Sequence, residues 1–101
     1  MSKKADKYLF NRVLIIGIGL IGSSIALSLK KHSIAKNIIG YSKTEKTRKI
    51  AKKKHIVDEV INRISNRISE MDLIIIWSPL STYEKIFNLI NPHLSKKTIV
   101  T

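Results

Sequence analysis

The chain has 101 residues, enough for one small domain, and its lack of cysteine excludes disulfides and thiolate metal sites. The polar, basic N-terminus has no apolar signal-peptide core, so we expect a cytoplasmic protein. The net charge of +12 ordinarily indicates nucleic acid or an acidic membrane, but 15 Lys, only 4 Arg and 19 Ile are typical of an AT-rich genome. We therefore expect no specific nucleic acid and no membrane among the partners.

Residues 1–11 are predicted to be a flexible lead-in, and residues 12–101 a single domain. The first predicted element is a buried parallel strand, VLII at residues 13–16. Gly17, Gly19 and Gly22 follow at G-x-G-x-x-G spacing, and a helix then continues to Lys31. Its apolar surface is predicted to consist of Ile21, Ile25, Ala26, Leu27 and Leu29.

A glycine motif between a strand and a helix indicates a dinucleotide-binding turn. Gly17 permits the tight turn out of the strand, and Gly19 lets a pyrophosphate approach bare backbone. Gly22 lets the helix pack close to the sheet, with its N-terminal N–H groups directed at the phosphates. These three glycines are the first predicted cofactor-binding residues.

Three other interpretations of this stretch are less favoured. The first is a membrane span with basic flanks, because residues 13–29 carry no charge over 17 positions. The length of that span is marginal. The glycines can also be incidental to a buried strand and helix. A kinase-type loop is the weakest alternative, because its glycines join two strands.

The remaining elements alternate between strands and helices. A connector at 32–36 precedes a strand at 37–41 and a basic helix at 43–55, whose thin apolar face is Ile50 and Ala51. A short strand at 56–61 and a polar segment with helical spacing at 62–71 come next. A clear strand at 72–77 leads to a helix with a Ser81/Glu84 capping box. The packing residues of that helix are Tyr83, Ile86, Phe87, Leu89 and Ile90, and the helix ends at Pro92, before a last strand at 98–101.

This alternation predicts an α/β fold: a Rossmann-type, doubly wound parallel sheet of strand order 3-2-1-4-5, incomplete at its C-terminus. Ligands of such sheets lie beyond the carboxyl ends of the strands, where the strand order reverses. Residues 17–22, Ser42 and residues 78–80 are therefore expected around one crevice.

The residues after the second strand favour NADP, or use of both NADP and NAD, over strict NAD. An NAD-preferring domain usually has Asp or Glu at that strand end, to accept from the ribose 2′-OH, but here the residue is Ser42. Ser42 and Thr44 can donate hydrogen bonds to a 2′-phosphate, and Lys43 and Arg48 can supply positive charge. The alternative is structural: Ser42 or Thr44 caps a helix with a solvated, Lys-rich face.

No catalytic or metal-binding set is apparent. His32, His55 and His93 are scattered, without partners that spacing would supply, and we interpret them as surface residues. The sequence contains no carboxylate pair and no nucleophile motif. We therefore predict no catalytic residue and no metal ligand.

With these motifs, residues 12–101 resemble the N-terminal domain of the prephenate/arogenate dehydrogenase family of tyrosine biosynthesis. The matching segments are VLIIGIGLIGSSIALSLK, IIGYSKT, AKKKHIVDEV and MDLIIIWSPLSTY, of which GLIGSS is the most specific. The resemblance implies an NAD(P)-dependent oxidative decarboxylation of prephenate or arogenate. Trp77 departs from it, because the family commonly has a smaller residue there.

The resemblance also implies roles for individual residues. Gly17, Gly19 and Gly22 would hold the pyrophosphate, with backbone contacts from Leu20 and Ile21. The residues that would face the adenosine ribose are Ser42, Lys43 and Thr44. Those that would line the nicotinamide side are Ser78, Pro79 and Leu80.

In the family, a catalytic histidine segment and a helical dimerisation domain follow this region. We therefore expect this chain to be a cofactor-binding part that is inert alone, its substrate site supplied by a separate chain or a missing domain. Three other functions stay open: the cofactor half of another NAD(P)-dependent dehydrogenase, a non-catalytic nucleotide-sensing module, and a nucleic-acid binder using residues 43–54.

Overall fold

The protein's structure, a computed structural model, describes residues 8–17, 20–42, 44–78 and 80–101. Five strands alternate with three helices in the order β1 Phe10–Ile16, α1 Leu20–Lys31, β2 Ala35–Tyr41, α2 Glu45–Lys53, β3 Glu59–Ile61, β4 Leu73–Ile76, α3 Leu80–Ile90 and β5 Ile99–Val100. Short 3₁₀ helices at Asn66–Glu70 and Asn91–His93 complete the connections.

The five strands form one parallel sheet in the order β3-β2-β1-β4-β5, which confirms the predicted doubly wound topology. Successive side chains of β1 enter two different cores, as strand geometry requires. Val13 and Ile15 pack on one face with residues of α1 and α2, whereas Leu14 and Ile16 pack on the other with residues of α3 and the first 3₁₀ helix. Covering both faces explains the nearly continuous apolar run of β1.

Three predicted apolar faces are only partly correct. In α3, Tyr83, Ile86, Phe87 and Ile90 pack in the core, but Leu89 is 57% exposed. In α1, Ala26 is buried and Ile25 and Leu29 pack against the core, but Leu27 is 51% exposed. In α2, Ala51 is buried, whereas Ile50 is 42% exposed. Each helix presents a narrow stripe to the sheet, and the residue next to that stripe in sequence points away from it.

Several element bounds also differ from the prediction. β1 begins at Phe10, inside the expected lead-in, because Phe10 pairs with Ala35 of β2 and its N–H donates to the Ile34 carbonyl at 3.0 Å. The backbone N–H groups of Asn11 and Arg12 also donate to the Asp72 carboxylate, at 2.8 and 3.0 Å. β2 begins at Ala35, opposite Phe10, within the predicted connector. β3 is shorter than predicted, since only Glu59–Ile61 pair with β2.

The capping-box interpretation of Ser81 is wrong. Helix α3 begins at Leu80, so Ser81 lies inside the first turn instead of at the N-cap position. Of the stretch considered as a membrane span, residues 13–16 belong to β1 and residues 20–29 to α1. Among the described residues, no helix has both the length and the apolar stretch needed to cross a bilayer.

Candidate dinucleotide site

The turn that leaves β1 depends on glycine at position 17. Gly17 has φ +94°, in the left-handed region that side chains disfavour. Its N–H donates to the carbonyl of Tyr41 at 3.0 Å, while the N–H of Trp77 donates to the Ile16 carbonyl at 2.9 Å. A Cβ on residue 17 would lie 2.1 Å from the Trp77 carbonyl oxygen. The turn is therefore held between β2 and β4, with no room for a side chain.

Gly22 allows the first turn of α1 to approach the end of β1. It is buried, and a Cβ there would lie 2.6 Å from the carbonyl oxygen of Gly17 and 3.6 Å from Cγ2 of Ile15. The helix therefore starts directly against the strand end, and the predicted packing reason for this glycine is correct. Such an arrangement leaves the N-terminal N–H groups of α1 near the carboxyl edge of the sheet.

The turn between β2 and α2 is organised around Ser42. Its hydroxyl oxygen accepts a hydrogen bond from the Thr44 N–H at 3.3 Å, and its carbonyl accepts one from the Arg48 guanidinium. Thr44 is the N-cap of α2, but its side chain makes no capping hydrogen bond. The helix-cap interpretation is therefore correct in placing Thr44 at the N-cap, but the Thr44 hydroxyl does not cap the helix. Arg48, expected to meet a phosphate, is instead bonded to the turn itself.

A cavity of about 290 Å³ brings the ends of β1 and β2 together with α3. Gly17 and Ser42 line it, as the sequence predicts for one crevice. Its apolar walls include Ile16, Ile64, Ile86 and Leu89, and its polar groups are Tyr41, Thr82 and Lys85. The space can therefore accept a flat, mostly apolar group with a polar edge and negative charge near Lys85.

The other predicted site residues either do not line this cavity or lie outside the residues that the structure describes in full. Ser78 follows Trp77 and is half-buried, and Thr44 is exposed, but neither lines this cavity. Leu20 and Ile21 form the start of α1, and Leu80 the start of α3. Gly19, Lys43 and Pro79 lie outside the described residues.

Of the nine described residues that line the cavity, seven were not predicted for the site: Ile16, Tyr41, Ile64, Thr82, Lys85, Ile86 and Leu89. Thr82, Lys85 and Ile86 recur at three- and four-residue spacing on one side of α3, the signal that would have found them. Sequence reasoning also passed over Glu45, the first carboxylate after β2. That carboxylate is ion-paired with Lys49 at 3.2 Å and does not line the cavity.

Within the described residues, no cluster of three or more His, Asp or Glu side chains is placed to hold a metal ion. His32 and His55 are exposed, and Nδ1 of His32 lies 3.0 Å from the carbonyl oxygen of Ser28 in its own helix. His93 is half-buried in the second 3₁₀ helix. The three histidines thus lie on separate elements.

Comparison with known proteins gives a consistent family. The family model for the nucleotide-binding domain of prephenate dehydrogenase matches residues 25–101. A prephenate dehydrogenase of Lactococcus lactis subsp. cremoris is 43% identical over 70 residues, which are 69% of this chain and 19% of that protein. A cyclohexadienyl dehydrogenase of Zymomonas mobilis is 31% identical over 91 residues, 90% of this chain and 31% of that protein.

The fold comparison agrees. The crystal structure of prephenate dehydrogenase from Aquifex aeolicus, in complex with hydroxyphenyl propionate and NAD+, superposes with a TM-score of 0.81 at 28% identity. The match covers 89% of this chain and 32% of that one. The chain thus spans between 19% and 32% of the length of these relatives. It belongs to the prephenate dehydrogenase family and corresponds to its nucleotide-binding domain.

Proposed function

We propose that this chain binds NADP, or NADP and NAD alike, as the cofactor-binding part of a dehydrogenase that decarboxylates prephenate or arogenate oxidatively. The observation that carries the proposal is the Gly17 turn, fixed between β2 and β4 and opening onto the cavity that Ser42 also lines. Family membership supports it, and the relative from Aquifex aeolicus was crystallised with NAD+.

The pyrophosphate is proposed to lie over the glycine turn. Gly17, Gly19 and Gly22 would admit it to bare backbone, with N–H contacts from Leu20 and Ile21 at the start of α1. The nicotinamide is proposed to lie on the β4 side of the turn, beside Ser78, Pro79 and Leu80. The adenosine end would then lie toward β2 and the cavity.

The preference for NADP rests on charge at the end of β2. Ser42 follows β2 directly, whereas the Glu45 carboxylate is one turn further along and paired with Lys49. Because the Ser42 oxygen accepts from the Thr44 N–H, its own proton is free to be donated to a phosphate oxygen. Lys43 and Thr44 are proposed to complete this 2′-phosphate site.

The dehydrogenase activity itself is proposed for an assembly larger than these 101 residues. No catalytic residue is assigned here, so a further domain or separate chain would supply the substrate site. We expect the 101-residue chain alone to show no turnover of prephenate. A cytoplasmic location is also proposed, and the absence of cysteine suits it.

The test is a fluorescence titration that uses Trp77, the only tryptophan, which is 47% exposed beside the glycine turn. Bound nicotinamide is expected to quench it. Tighter binding of NADP than of NAD would support both the site and the 2′-phosphate argument. Equal affinities would fit use of both cofactors, and tighter NAD would reject the NADP preference but keep the site. Binding of neither by folded protein would reject the proposal.

A further inference from the structure

A second and larger concave surface lies between α2 and the segment formed by β3 and the loop after it. This surface, the basic groove, has a volume of about 1030 Å³. Six cationic side chains line it, against the single carboxylate of Glu45: Arg48, Lys49, Lys52, Lys53, Arg63 and Arg67. The groove is distinct from the proposed cofactor cavity, and none of its lining residues lines that cavity.

The distribution of arginine sets this groove apart from the general Lys excess. The chain has 15 Lys and only 4 Arg, yet three of the four arginines line the groove. A genome bias that favours Lys does not account for arginine gathered in one place. Guanidinium groups bind carboxylates through two parallel hydrogen bonds, which an ammonium group cannot do.

The six cations are not equally engaged. Arg67 is paired with Glu59 and Glu70, and Arg48 and Lys52 donate to backbone carbonyls. Lys53 and Arg63 are exposed, and within the described part of the chain they have no ion-pair partner. Opposite walls of the groove therefore each present a cation that can take a carboxylate.

One wall of the groove is also an edge of the sheet. Among the described strands, β3 pairs with β2 alone, and Val60 and Ile61 line the groove. The outer side of an edge strand carries backbone N–H and C=O groups that can pair with another extended segment. Main-chain pairing at an edge supplies affinity, while neighbouring side chains select the sequence.

From this combination we infer that the basic groove binds an extended acidic peptide segment, which adds to the outer edge of β3 and places its carboxylates against Lys53 and Arg63. Acidic peptide fits better than single-stranded nucleic acid. Nucleic acid requires aromatic or similar planes for base stacking, and no described residue lining the groove is aromatic. The inference does not depend on the cofactor proposal.

The test measures fluorescence anisotropy of a labelled twelve-residue peptide of alternating Glu and Val, added to the full chain. Three further probes are a Lys–Val peptide, a Glu–Pro peptide that keeps the charge but lacks half of the donor N–H groups, and a twelve-residue oligouridylate. We expect the Glu–Val peptide to bind most tightly and the Glu–Pro peptide about tenfold more weakly.

A double charge reversal, Lys53→Glu with Arg63→Glu, should weaken binding of the Glu–Val peptide at least about tenfold. The matched control is Lys96→Glu with Lys97→Glu, two exposed lysines in the turn before β5, which should change binding less than about twofold. Circular dichroism and thermal melts verify that both variants fold.

Four results would overturn the inference. Absence of Glu–Val binding would mean that the cations only protect the edge from self-pairing. Equal binding of the Glu–Pro peptide would exclude strand addition. Tighter binding of the oligouridylate than of the Glu–Val peptide would make the groove a nucleic-acid site. Equal losses of peptide affinity in both charge-reversal variants would mean that only the net charge of the chain attracts the peptide.

Discussion

The carbonyl oxygen of Trp77 occupies the space where a side chain on residue 17 would begin. An ideal Cβ on Gly17 would lie only 2.1 Å from that oxygen, and the backbone at Gly17 has φ +94°. The end of β4 therefore requires glycine at the end of β1, quite apart from any ligand. Gly17 thus has a folding role in this chain as well as a proposed binding role.

Gly17→Ala is expected to destabilise the fold by about 3 kcal/mol or more, because it combines positive-φ strain with a backbone clash. Urea unfolding followed by circular dichroism measures the loss. The control is Ser28→Ala on the exposed side of α1, which should stay within about 0.5 kcal/mol of the parent. An unchanged unfolding midpoint for Gly17→Ala would contradict the structure of this turn.

Asp58 ties together three elements, and its removal should be costly. Its carboxylate accepts from the Lys30 ammonium at 2.7 Å and from the Ile38 N–H at 2.9 Å. Asp58→Ala leaves that N–H without its acceptor, so we expect a loss of about 2 kcal/mol in urea unfolding. Asp58→Asn keeps an acceptor and should lose about 1 kcal/mol, because the partly exposed ion pair itself contributes little. Equal stability of both variants and the parent would refute this role.

The same carboxylate gives the stability a pH dependence of known sign. Partial burial alone would raise the pKa of Asp58, but the hydrogen bonds from Lys30 and Ile38 outweigh it and hold the pKa below its ordinary 3.8. A lowered folded-state pKa means that the stabilisation is complete above about pH 4 and is lost as the pH falls below it. Urea midpoints between pH 6 and pH 3 should therefore fall more steeply for the parent than for Asp58→Ala.

Local sequence pattern predicted the strand order because buried β-branched runs and helices alternate at regular spacing. It placed the start of β1 too late, because Asn11 and Arg12 are polar and exposed. Their place in the strand depends on residues distant in sequence: Arg12 pairs with Asn37 of β2, and both N–H groups donate to Asp72, some 60 residues away. The same limit applies to the site. Gly17 and Ser42 are recognisable from the chain order, but Ile64 and Lys85 reach the cavity only after the sheet has formed.

Replacing Ser42 with a carboxylate should reverse the proposed cofactor preference. Ser42→Asp removes the donor and places a negative charge where the 2′-phosphate is proposed to lie, whereas a ribose 2′-OH could donate to it. We expect NADP affinity to fall at least about tenfold, with NAD affinity unchanged or higher. Ser42→Asn is the neutral control and should change the ratio less. Parallel losses of both cofactors in Ser42→Asp would mean that the residue only shapes the turn.

Lys85 is the one cationic side chain among the described residues lining the cavity, and it tests a position that the sequence did not reveal. Lys85→Gln keeps most of the side-chain volume and the helix propensity, but removes the charge. We expect the Kd for NADP to rise about three- to tenfold at low salt and the difference from the parent to shrink as salt is added. Lys96→Gln, an exposed lysine outside the cavity, is the matched control. If both variants change the Kd equally, only the net charge of the chain acts on the cofactor; if neither does, the cofactor's phosphates lie away from α3.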